Sequence, residues 1–156
     1  MKILFVCLGN ICRSPAAEEI MRQTLKGAGL EREVEVDSAG TYGGHRGELP
    51  DARMRAAAAR RGYRLTHRSR QLCEEDFTRF DRIVVMDDMN YETVHRMAPS
   101  RALADKIERM RDRLSPSKFP DRTYIPDPYY EGAEGFELVL DMLEDACVNL
   151  LEDIGR

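Results

Sequence analysis

The 156-residue chain has no tryptophan, only three histidines and four cysteines, and no apolar run long enough to cross a bilayer. The histidines are scattered, and Cys7 and Cys12 lack a second ligand pair, so the chain shows no structural zinc motif and no metal is expected. Cys7, Cys12, Cys73 and Cys147 are too few and too dispersed for a disulfide scaffold; reduced thiols are expected, with any bridge transient or regulatory. No basic field exists either. Twenty-four Lys and Arg face 28 Asp and Glu, a net charge of -4, which points away from nucleic acid and membrane partners. Any anion must therefore be bound locally. The apolar stretch Lys2–Val6 is too short for a signal peptide, so a cytoplasmic protein is expected, and a monomer. There is no Gly-Lys-Ser/Thr ending and no Gly-x-Gly-x-x-Gly, so a nucleotide-binding loop is not indicated. Repeats, low-complexity tracts and linkers are also missing, which leaves one domain over 1–156.

What is present alternates between strand and helix signals. Ile3, Leu4, Phe5 and Val6 read as a strand buried on both faces. Ser14 at an N-cap, Pro15 at the first helical position and the acids Glu18 and Glu19 predict a helix. Its apolar side is Ile20, Met21, Leu25 and Ala28, and it ends at Gly27 and Gly29. A strand over 34–38, a helix over 51–61, a strand over 82–86 and a helix over 89–97 follow. The stretch 106–110 fits either a strand or a helix. Phe136, Leu140, Leu143, Cys147, Leu150 and Ile154 give 135–154 the spacing of a long amphipathic helix. This order predicts an α/β domain with a parallel sheet covered on both faces, whose sites form beyond the carboxyl ends of its strands. Cys7 lies at such an end.

The segment Cys7-Leu8-Gly9-Asn10-Ile11-Cys12-Arg13-Ser14 is a short turn feeding a helix. Such a turn can aim backbone N–H groups at an anion, and the helix start adds its own free donors. Gly9 and Asn10 are residue types that tolerate a positive φ. Arg13 can grip a phosphoryl group with two prongs. The same positive environment favours a thiolate at Cys7, with Ser14 placed to donate to it. A thiolate in a phosphate cradle is a nucleophile aimed at phosphorus. Taken singly, Cys7 would read as a buried packing residue and Arg13 as a surface cation; spacing, loop and helix start together reverse that reading.

The chain closely resembles the low-molecular-weight protein tyrosine phosphatases. The likeness rests on the N-terminal loop, Asp37-Ser-Ala-Gly-Thr41, Gly47-Glu-Leu-Pro-Asp51, Thr66-His-Arg-Ser-Arg70, Met86-Asp87 with Asn90, and Ile125-Pro-Asp-Pro-Tyr-Tyr130. It implies a four-stranded parallel sheet with helices on both faces (the phosphotyrosine phosphatase I-like fold), no cofactor, and hydrolysis of phosphotyrosine in protein substrates through a cysteinyl-phosphate. It implies Cys7 as nucleophile, Arg13 as phosphate ligand and Asp127 as general acid, with Leu8, Gly9, Asn10, Ile11, Cys12 and Ser14 forming the loop. Chemistry independently asks for such an acid, because a thiolate brings no proton to the departing phenolate. Asn10, Ser38 and His67 are implied as supports of the loop. Leu8, Ile11, Tyr129 and Tyr130 are implied as cleft walls, the two tyrosines also as phosphorylation acceptors, and Cys12 as a redox partner of Cys7. Cys73 and Cys147 read as packing residues.

Two stretches depart from the family pattern. Bacterial members often carry a tryptophan after the second strand, where Gly44 stands here with Tyr42 nearby; a cleft wall that is more open or differently built is expected, with Tyr42 in the substrate cleft. His45 and Arg46 suggest a preference for acidic residues beside the phosphotyrosine. The segment 100–122 is longer and more charged than usual and has no evident role. Protein-arginine phosphatases share the resemblance but have threonine where Ile11 stands, and isoleucine suits an aromatic ring better. Arsenate reduction would need paired resolving cysteines, and a mere phosphotyrosine-binding module would not need nucleophile, arginine and acid together.

Overall fold

The computed structural model describes residues 1–155. Strand β1 (Lys2–Cys7) leads into helix α1 (Arg13–Gly27), β2 (Glu35–Gly40), α2 (Ala52–Ala59), the short α3 (Asp76–Arg79) and β3 (Arg82–Val85). Then come α4 (Asp88–Met97), the one-turn α5 (Arg101–Ala104), β4 (Ile107–Arg109), a 3₁₀ turn at Met110–Arg113, and α6 (Ala133–Ile154). The sheet order is β2-β1-β3-β4, with every pairing parallel. The expected α/β architecture is thus realised, and within the stretch 106–110 residues Ile107–Arg109 form a strand because Ile107 pairs with Ile83 along β3, while Met110 starts the 3₁₀ turn.

Alternation along β1 divides the core in two. Ile3 and Phe5 face α1 and α6, whereas Leu4 and Val6 face Phe77, Phe80, Val94 and Ala104 from the α3–α5 side. All four are fully buried, and burial of each is worth about 1.5–3 kcal/mol. Helix α6 supplies Phe136, Leu140, Leu143, Cys147 and Leu150 to the first core. The switch point lies between β1 and its two neighbours, so the loop after β1 opens where chain crossovers diverge.

Several local expectations are corrected. Helix α1 starts at Arg13 with Cys12 as its flanking residue, so Ser14 is not the N-cap and Pro15 is not the first helical position. The Ser14 hydroxyl instead serves Cys7 and Asn10, which leaves the first N–H groups of the helix free. Ala28 lies outside the helix and is exposed. Strand β2 runs on to Gly40, because pairing continues to the Cys7↔Gly40 register. Cys147 is fully buried, but Cys73 is exposed and makes no core contact; its N–H bonds Asp76.

The 100–122 segment gains a structural role. Asp145 on α6 accepts bonds from the Ser115 N–H and hydroxyl, both at 2.7 Å, and Asn149 donates to the Arg113 carbonyl. Arg82 grips Glu108 with two prongs and also meets Asp153, which ties β3, β4 and α6 together.

Candidate active site

The loop after β1 turns sharply because two neighbours let it. Asn10 adopts φ +57, the left-handed region that asparagine tolerates better than most residues. Gly40 at the end of β2 lets the loop lie against it: a Cβ there would sit 2.7 Å from the Leu8 carbonyl and 2.9 Å from the Asn10 nitrogen. Gly9, expected to help through a positive φ, does not use one; it makes room for the His45 ring instead.

Asn10 is completely buried and its amide is fully committed. Nδ2 donates to Ser14 Oγ at 2.8 Å and to Ser38 Oγ at 3.0 Å, while Oδ1 accepts from His67 Nε2 at 2.9 Å and the Arg70 N–H at 3.0 Å. The Ser38 hydroxyl in turn donates to Glu18 Oε1 at 2.8 Å. His67 Nδ1 lies 3.1 Å from the same Glu18 oxygen. Burial tends to raise the Glu18 carboxyl, but His67, Arg22 and Ser38 outweigh it and hold the group below the usual carboxylate range. The Ser14 oxygen already accepts from Asn10, so its proton is available to Cys7 Sγ, 3.0 Å away; the other acceptor, the Ala39 carbonyl, is 3.4 Å off.

Cys7 lies at the floor of a cleft of about 210 Å³ lined also by Leu8, Gly9, Ile11, Cys12, Arg13, Tyr42, His45, Asp127, Tyr129 and Tyr130. Among the described residues, no acceptor takes a bond from the backbone N–H groups of Gly9 to Ser14. Unpaired donors in a short loop that leads into the start of α1 are suited to holding an anion. Arg13 is nearly buried and donates through Nη1 to Asp87 at 2.6 Å and to the Ile125 carbonyl at 2.9 Å. Burial works against its charge, yet Cys7, Asp87 and Asp127 prevail and raise its pKa above the ordinary arginine value, so it stays a cation. Asp127 accepts the Tyr129 N–H on Oδ1 at 3.0 Å, and its Oδ2 stands 3.7 Å from Arg13 Nη2. Cys12 lies in the same loop; burial first, then the charges of Asp51, Cys7 and Asp127, push its thiol upward, so it stays protonated at neutral pH.

Of the two expectations for the wall at Gly44, more open or differently built, the second holds: the Tyr42 ring fills it. A Cβ on Gly44 would fall 2.1 Å from the Tyr42 ring, so the ring occupies the space a side chain at 44 would need. Tyr42 is anchored by its N–H to the Leu8 carbonyl at 2.8 Å and meets His45 edge-on at 5.9 Å. His45 is itself bonded to Glu48 at 2.5 Å. Apart from Arg46, which turns to Gln71, every residue expected at the site lies in the cleft or directly behind its loop. Sequence reasoning gave no role to Glu18, Asp87, Arg70 or Ser69, whose hydroxyl bonds the Gly9 carbonyl at 3.0 Å. Asp87 stands two residues after β3, at the functional end of the sheet, and belongs to the Met86-Asp87 motif of the resemblance; those two signals could have found it.

The arrangement offers a nucleophilic sulfur, an anion cradle, a fixed cation and a carboxyl group, all opening on one cleft. A family model described as low molecular weight phosphotyrosine protein phosphatase matches residues 2–156. A putative low molecular weight protein-tyrosine-phosphatase of Synechocystis is 49% identical over 156 residues, covering 100% of this chain and 98% of that protein. The human low molecular weight phosphotyrosine protein phosphatase is 37% identical, over 96% and 93% of the two chains. Among solved structures, the protein tyrosine phosphatase of Entamoeba histolytica with Hepes in the active site superposes with a TM-score of 0.94 at 43% identity, over 99% and 97% of the chains. YfkJ of Bacillus subtilis gives 0.91 at 38%, over 99% and 94%.

Proposed function

Because the chain belongs to the low molecular weight phosphotyrosine protein phosphatases, hydrolases that work through a cysteinyl-phosphate, we propose that Cys7 is its nucleophile, Arg13 its phosphate ligand and Asp127 its general acid. The observation that carries this reading is the meeting of Cys7, the unengaged loop N–H groups, Arg13 and Asp127 at one cleft. A phosphoryl group seated in the loop presents its phosphorus to Sγ. The S–P bond forms as the bond to the phenolic oxygen breaks, and Asp127 gives that oxygen a proton. The loop donors and Arg13 hold the equatorial oxygens, where charge is spread in the transition state. Asp127, now a carboxylate, takes a proton from water as the water oxygen attacks phosphorus; the S–P bond breaks and phosphate leaves.

Tyr42 and Tyr129, which line the cleft with Leu8 and Ile11, suit a flat aromatic ring, and the burial of Cys7 favours phosphotyrosine over shorter phosphoserine. His45 in the cleft wall, with Arg46 next to it in sequence, favours an acidic residue next to the phosphotyrosine. Cys12 protects Cys7 from over-oxidation: peroxide oxidises the Cys7 thiolate to a sulfenic acid, and the Cys12 sulfur displaces water from it to give a disulfide. Among the described residues no helix is long and apolar enough to cross a membrane, and we read the protein as cytoplasmic and monomeric.

Hydrolysis of p-nitrophenyl phosphate tests the core assignment. Cys7→Ser should abolish turnover while still binding phosphate or vanadate, and Asp127→Ala should slow it strongly. Retained turnover in Cys7→Ser would end the nucleophile assignment.

A further inference from the structure

We propose that Arg53 is a positioning residue for this reaction, a strut that joins the phosphate loop to the loop carrying the acid. The inference rests on the roles of Cys7 and Asp127 given above.

The strut begins at the phosphate loop. The Asp51 N–H donates to the Ile11 carbonyl at 2.8 Å, which fixes the start of α2 to that loop. The Asp51 carboxylate caps α2 through the Arg53 N–H at 2.8 Å and also grips the Arg53 guanidinium with two bonds, Nε at 3.0 Å and Nη2 at 2.9 Å. Two bonds in one plane fix the orientation of the guanidinium as well as its place. Its centre then lies 5.3 Å from the Tyr129 ring centroid and 4.9 Å from that of Phe136 at the start of α6. Tyr129 in turn donates its N–H to Asp127 Oδ1 at 3.0 Å.

The resulting line is Ile11, Asp51, Arg53, Tyr129 and Asp127. It bridges two segments far apart in sequence that must keep a fixed separation while a proton passes to the leaving oxygen. Tyr130 cannot hold Tyr129 in its place: it meets Tyr129 edge-on at 4.9 Å but is itself 91% exposed. Arg53 is half exposed, with its side chain at 50%, so its contribution to the hydrophobic core is small. A surface ion pair with Asp51 alone would not need the two aromatic rings. Lysine could keep the charge over Tyr129 but not the planar clamp.

The effect should appear in proton delivery. Arg53→Ala and Arg53→Lys would be compared with the unmodified protein on aryl phosphates whose leaving phenols span a range of acidities, with thermal melting followed in parallel. The expected result is a loss of kcat/KM of about two- to tenfold, the scale of one or two cation–π contacts. That loss should grow as the phenol becomes less acid, because poor leaving groups depend most on Asp127, and lysine should restore only part of it. An unchanged profile, or an equal loss at every phenol, in a variant that melts like the unmodified protein would overturn the proposal. Lysine restoring the full rate would also overturn it. Both readings are ratios against an active parent, so they stay separate from the Cys7→Ser test.

Discussion

Replacing Asn10 by alanine should both loosen the fold and disable the site, and the size of the loss follows from its surroundings. The amide makes four hydrogen bonds, to Ser14, Ser38, His67 and the Arg70 N–H, at full burial. Ser38 keeps a partner in Glu18 when the amide is gone. His67 Nε2 and the Arg70 N–H lose theirs, and a buried polar group left unpaired costs about 1–3 kcal/mol. Alanine at φ +57 adds about 1 kcal/mol, since it cannot rest in the left-handed region as asparagine does. With relaxation and water entry, the total should be about 3–5 kcal/mol. For a chain this long that corresponds to a fall in Tm of roughly 6–20 °C. Urea unfolding followed by circular dichroism gives the loss directly, provided the slope m is unchanged. Asn10→Gly separates the two parts: it loses the same bonds without the backbone strain and should be about 1 kcal/mol more stable than the alanine variant. An alanine variant within about 1 kcal/mol of the parent would show that the amide bonds hold nothing in place and refute the reasoning. Turnover should fall in both variants, because the loop donors aim at phosphate only while Asn10 holds the turn.

Glu18 predicts an acid limb of stability. Its carboxyl is held below its ordinary value of 4.5, so its contribution is fully present above that pH and is lost as pH falls through the lower folded value; Glu18→Gln should flatten the drop in urea midpoint on acidification, and an unchanged slope would contradict this. Gly44→Ala should push the Tyr42 ring off the cleft wall and raise KM for phosphotyrosine by about two- to tenfold, with a smaller effect on an alkyl phosphate; equal effects on both would argue against an aromatic wall at Tyr42. Cys12, buried and with its pKa raised, should resist iodoacetamide in the Cys7→Ser variant at neutral pH, as read by peptide mass spectrometry. Peptides with acidic residues next to the phosphotyrosine should show higher kcat/KM than basic ones if His45 and Arg46 read that flank, and Arg46→Ala should narrow the gap.

The cradle was readable because its chemistry is local. A strand, a short loop and a helix start within 1–27 already place a sulfur, free amides and a guanidinium together. Asp127 was readable only through the family pattern, since nothing near it in sequence says that its carboxylate meets Arg13. Glu18 and Asp87 acquire their roles across the fold, from Ser38 and Arg13, and no periodicity reports such pairings. Ser14 misled for a physical reason: a serine before a proline and two acids is an excellent cap, but here the hydroxyl is drawn to Cys7 and Asn10. The 106–110 stretch stayed ambiguous because strand β4 is three residues long and edge-placed, so its charges obscure the pattern.

The central place of β1 has a consequence for how the enzyme comes into being. A ribosome releases Cys7 and β2 early, but β3, the other strand beside β1, and the proposed acid Asp127 come much later, at Arg82–Val85 and position 127. A nascent or prematurely terminated chain therefore carries the sulfur without the machinery. Full activity should therefore appear only after β3 has paired with β1 and the 127 segment has closed over the cleft, which makes it a property of the late chain rather than of the early loop.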